Sequence, residues 1–73
     1  MENIIMGIIS EITGLEIDEI NVEDEFENDL SMDEEEIFDL FDTLESHTGI
    51  TLLGKRRKLK TIDSLANYIN KFQ

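Results

Sequence analysis

The chain has 73 residues, with 18 Asp and Glu against 6 Lys and Arg, for a net charge of −12. That length specifies one small domain, residues 1–73, and such acidity repels nucleic acid and anionic membranes at long range. Cysteine is absent, so disulfides and thiolate metal sites are excluded, and no apolar run approaches the roughly 20 residues of a membrane span. Hydrophobic residues make up 40% of the chain and recur at regular spacing, which argues for a packed core over disorder. With no signal-peptide pattern, the expected product is a cytoplasmic monomer whose partners present a basic surface.

The first segment, residues 2–13, places Ile4, Ile5, Ile8, Ile9 and Ile12 on one stripe at helical spacing. Isoleucine is β-branched and also suits strands, but the alternation a strand needs is missing, so the spacing predicts a helix. Gly14 follows as a C-terminal cap. From residue 15 to 30 the pattern is irregular. Leu15, Ile17, Ile20, Val22, Phe26 and Leu30 are apolar anchors set among acids, and a loop this long stays ordered only if anchored. Phe26 and Leu30 are its expected plugs.

A second helix is predicted over residues 33–46, with Ile37, Leu40, Phe41 and Leu44 as its core stripe. Asp33, Glu34, Glu35 and Glu36 crowd its first turn, where negative charge favours the free N–H groups and the helix dipole. Two capping boxes fit: Ser31 with Glu34, or Asp33 with Glu36. Gly49 marks the end. Residues 51–60 show no period and are read as a loop with at most one helical turn. A last helix is predicted over residues 62–72, with Thr61 as N-cap, Ser64 and Asp63 in the first turn, and Ile62, Leu65, Ala66, Ile69 and Phe72 facing the core beside Tyr68. The fold class is therefore all-α: a bundle of three main helices, a long first loop, and a short or missing additional helix between the second and the last.

One stretch, FENDLSMDEEEIFDLFDTLESHTGI at residues 26–50, carries more specific information. Phe26, Asp29, Leu30, Asp33, Leu40, Leu44, Gly49 and Ile50 match without a gap the pattern Phe-x-x-Asp-Leu-Gly-x-Asp-Ser-Leu-(Asp/Glu)-x-(Val/Ile)-Glu-Leu, followed by a helix that ends near Gly-Ile. The stretch resembles the acyl carrier protein family. The likeness continues upstream through Gly14, Leu15, Glu19 and Ile20, and downstream in TIDSLANYI at residues 61–69, which is similar to the family's last helix with its Tyr-Ile ending at Tyr68 and Ile69.

The resemblance implies an acyl-carrier-like bundle whose second helix docks on basic patches of transferases and synthases, in fatty acid or polyketide biosynthesis. It also implies a serine bearing 4′-phosphopantetheine at the head of that helix, and that position holds Glu34. A carboxylate has no hydroxyl to accept the arm, so no cofactor is expected. Two further departures concern the docking face: Glu35 stands where the family carries Leu, and Asp42 brings charge to a position the family keeps apolar. The short third helix, usually acidic in the family, is here one residue shorter and basic.

The expected partner-binding residues are Asp33, Glu34, Glu35, Glu36, Phe38, Asp39 and Asp42, with Phe38 as a single apolar anchor. The leading reading is an unmodified, acyl-carrier-like interaction module. Two alternatives stand beside it. One is a working acyl or aminoacyl carrier with phosphopantetheine on Ser31, a register that breaks the gapless match. The other is an acidic inhibitor or mimic that occupies a partner's basic site. Ser64 lies in the tripeptide Asp-Ser-Leu, but too few residues follow for the helix and Gly-Ile turn that accompany an attachment serine, so it reads as a cap.

Residues 1–54 contain no Lys or Arg, and Lys55, Arg56, Arg57, Lys58 and Lys60 cluster in one segment. Without interleaved aromatics a nucleic-acid role is weak. The segment reads as internal charge balance against the acidic loop or helix, or as a partner contact. His47 has no second His or Cys to make a metal or catalytic pair, no loop has EF-hand spacing, and nothing in the chain suggests an enzyme.

Overall fold

The isoleucine stripe folds as helix α1, Glu2–Thr13, in a computed structural model that describes residues 1–72. Ile5 and Ile9 are fully buried, and Ile8 and Ile12 pack at the edge of the core. Ile4 departs from expectation and is 41% exposed. It precedes Ile5 by roughly 100° of helical rotation, which carries it out of the stripe to the solvent side. Gly14 ends α1 in the left-handed region, φ +81°, and its N–H donates to the Ser10 carbonyl at 2.9 Å. A residue with a Cβ is strained there.

The long loop is ordered by its own acids. Glu16 and Glu19 form a reciprocal capping box around a single 3₁₀ turn, Ile17–Glu19. Asp24 accepts from the Asn21 N–H at 2.9 Å and Asp29 from the Glu25 N–H at 2.8 Å. These carboxylates satisfy backbone donors that a loop would otherwise leave to water. Ile20, Phe26 and Leu30 are buried as plugs, and so is Met32, which no periodicity had marked. The loop is also tied to the chain around the start of the last helix: the Phe26 N–H donates to the Lys60 carbonyl, the Asp63 N–H to the Val22 carbonyl, and Glu25 and Thr61 form an antiparallel bridge.

Helix α2 is Glu34–Thr48. Of the two caps the sequence allows, the structure uses Asp33 with Glu36: Asp33 Oδ1 accepts from the Glu36 N–H at 2.8 Å and Glu36 Oε1 from the Asp33 N–H at 3.0 Å. Ser31 is therefore not the cap. It lies in the turn before, with φ +55°, the one non-glycine residue at positive φ among those described. That is the place where the matched pattern reads Gly, and the left-handed region costs any L-residue with a Cβ. Leu40, Phe41 and Leu44 are fully buried, while Ile37, the first member of the stripe, is half-buried. Gly49 closes α2 at φ +75°, its N–H on the Glu45 carbonyl at 2.8 Å.

Residues 49–61 contain one 3₁₀ turn, Leu53–Lys55, as the aperiodic sequence suggests. Leu52 points fully into the core. Helix α3 is Ile62–Asn70, with Thr61 and Ser64 in a reciprocal capping box. Phe72 does not join the core stripe. Helix α3 stops at Asn70, the Phe72 N–H turns back to the Ile69 carbonyl, and the ring is 58% exposed against Tyr68, centroids 5.2 Å apart. Its position fits the period, but the helix ends before the chain reaches it. The result is an all-α bundle in which α1 packs on α2 and α3, around a core with Phe26 and Phe41 edge to face at 6.1 Å.

Candidate functional site

Capping and burial together decide what α2 presents. Its first turn must start at Asp33 because that carboxylate closes the box, so Glu34 becomes the first helical residue and stands exposed. The buried stripe at Leu40, Phe41 and Leu44 then fixes the rotation of the helix. Residues 35, 38, 39 and 42, spaced i, i+3, i+4 and i+7, share the outer side. Glu35, Phe38, Asp39 and Asp42 are all exposed. Glu36 differs from the rest of the expected set: it is half-buried and its carboxylate is engaged in the cap.

Phe38 is 43% exposed, a value the sequence could not supply because it depends on a distant residue. The guanidinium carbon of Arg56 lies 5.3 Å from the centroid of the Phe38 ring, a cation–π geometry. Arg56 is held from behind as well, its Nη1 donating to the Leu53 carbonyl at 2.8 Å. Asp33, Glu34, Glu35, Phe38 and Arg56 together line a shallow bowl at the head of α2.

Beside it lies a cleft of about 380 Å³ between the first loop, α2 and the basic segment. Glu25, Glu27 and Glu34 contribute carboxylates to it, Arg56, Arg57 and Lys60 contribute cations, and Phe26 and Ile37 contribute apolar surface. Arg56, Arg57 and Lys60 of the basic segment thus face the acidic loop and the start of α2 across this cleft. Lys55 turns elsewhere, its Nζ 5.8 Å from the Tyr68 ring centroid.

The two serines differ in availability. Ser31 is exposed. The Ser64 hydroxyl is occupied: its Oγ donates to the Thr61 carbonyl at 2.9 Å and accepts from the Thr61 N–H at 3.1 Å. His47 is an exposed residue of the last turn of α2. Among the described residues no group of three or more His, Cys, Asp or Glu side chains is placed to hold a metal ion, and no helix is long and apolar enough to cross a membrane.

The sequence reading missed Glu45. Its Oε1 accepts from two backbone donors, Leu52 N–H at 2.7 Å and Leu53 N–H at 3.3 Å, and so pins the segment that leads to Arg56. No family model and no curated protein matches this chain.

Proposed function

We propose that this chain is an acyl-carrier-like module that bears no phosphopantetheine and acts, as a cytoplasmic monomer, by docking on a partner protein with a basic surface. The observation that carries this reading is Glu34 as the first, exposed residue of α2, where the matched pattern places its serine. A glutamate offers a transferase no hydroxyl, so the phosphopantetheine group does not fit this position. The register that puts Glu34 there is supported by Ser31, whose left-handed backbone stands at the pattern's glycine. The outer face of α2, with Glu35, Phe38, Asp39 and Asp42, combines charge with one aromatic anchor, the composition that steers and then holds a cationic partner. A second reading keeps a working carrier with the arm on Ser31, and it rests on the exposure of that residue.

A helical peptide with lysine flanks and a central glutamine, titrated into isotope-labelled protein, tests the docking face. Amide shifts should concentrate at residues 34–42. Glu35→Lys with Asp39→Lys should weaken binding about tenfold, as two lost and reversed charge contacts would. The same reversal on α1, at the exposed Glu2 and Glu11, should have a much smaller effect. Equal losses from the two pairs would mean that net charge alone governs binding and that α2 is not a docking face.

A further inference from the structure

The bowl at the head of α2 is not uniformly acidic. Arg56 enters it from the basic segment and stands over the Phe38 ring, among the carboxylates of Asp33, Glu34 and Glu35. Two contacts hold it there, the ring face and the Leu53 carbonyl. A guanidinium carries five N–H donors in a planar fork. One is engaged with Leu53, so the group keeps donors for an incoming acceptor.

A partner that offered only lysines and arginines would bring a cation against Arg56 at the place where Phe38 is to be gripped. Like charges in such a position are costly, and that is how interfaces reject wrong partners. A carboxylate matches the fork in geometry and sign. A phosphate would bring close to a double negative charge next to Asp33, Glu34 and Glu35, which favours the carboxylate.

We infer that Arg56 and Phe38 form a specificity-determining pair that receives a protein segment carrying one acidic side chain flanked by basic ones. The acidic side chain pairs with Arg56, and the basic residues face the surrounding carboxylates of α2. This inference rests on the docking role of α2 proposed above and adds the charge pattern its partner must have.

Two peptides test it, each with the same lysine flanks and either Glu or Gln at the centre. Their affinities are measured by amide-shift titration against the wild type, Arg56→Gln, Arg56→Met and Lys71→Gln. The methionine variant keeps an apolar stem over the ring, and Lys71 is an exposed cation of the chain terminus that serves as a control for net charge. The affinity of the Glu peptide relative to the Gln peptide should fall about two- to fivefold in both Arg56 variants, the scale of a single exposed ion pair, and should hold in Lys71→Gln. A ratio unmoved by either Arg56 variant, or moved as much by Lys71→Gln, overturns the inference while leaving the docking face standing. If neither peptide shifts the α2 amides, the proposed function fails and takes the inference with it.

Discussion

Phe41→Ala is expected to lower the free energy of unfolding by about 4 kcal/mol, the usual cost of deleting a buried phenyl ring and leaving a cavity. Phe41 has no exposed surface, lies in the centre of the α2 stripe, and meets Phe26 edge to face at 88°. A domain of this length has roughly 4–11 kcal/mol of total stability, so the variant should lose a third or more of it and unfold at a much lower urea concentration. Urea denaturation followed by circular dichroism gives the number. Phe72→Ala, at a ring 58% exposed, is the matched control and should change stability by less than about 1 kcal/mol. A loss at Phe41 no larger than that at Phe72 would mean that α2 does not pack on the first loop as described.

Glu45→Ala should cost about 2 kcal/mol, more than a typical surface change. One carboxylate oxygen receives the N–H groups of both Leu52 and Leu53, and Leu52 is fully buried. Removing the acceptor strands a donor next to the core, and hydrogen bonds to charged groups are worth roughly 1.5–3 kcal/mol. Glu45→Gln keeps an acceptor oxygen without the charge and should recover about half of the loss. Because the same segment carries Arg56, Glu45→Ala should also broaden or shift the Phe38 ring resonances, which Phe72→Ala should leave alone. Equal stability of Glu45→Ala and wild type in urea would show that the carboxylate does not anchor residues 52 and 53.

The features legible in the sequence were those with local causes. The caps at Asp33 and Thr61 and the glycines at 14 and 49 are motifs spanning three or four residues, and the core stripe of α2 follows from spacing alone. The capping choice between Ser31 and Asp33 was open in the sequence because both patterns satisfy the same local rule; the backbone decides it by turning left-handed at Ser31.

What escaped the sequence depends on contacts between distant segments. Glu45 reaches donors seven and eight residues away, a spacing with no motif attached. Phe38 shares the helical face of charged residues, and its partial cover comes from Arg56, on the far side of the Gly49 turn. Met32 is buried because the turn before α2 folds its side chain under the loop, with its N–H on the Phe26 carbonyl. Ile4 is rotated off the buried stripe that Ile5 and Ile9 define, and Phe72 fits its stripe by period but lies beyond the end of α3, so spacing alone did not give the burial of either. For the site, the shared outer side of Glu35, Phe38, Asp39 and Asp42 follows from their spacing on α2, whereas the bowl that Asp33, Glu34, Glu35 and Phe38 form with Arg56 does not.

The measurement that bears most directly on an acyl-carrier-like module without an arm is intact mass after incubation with coenzyme A and a broad-specificity phosphopantetheinyl transferase. Wild type, Ser31→Ala and Ser64→Ala are compared with a known carrier as positive control. No gain in any of the three, with the control fully converted, is the predicted result. A gain in wild type and Ser64→Ala that disappears in Ser31→Ala would contradict it and make the chain a working carrier with a displaced attachment site.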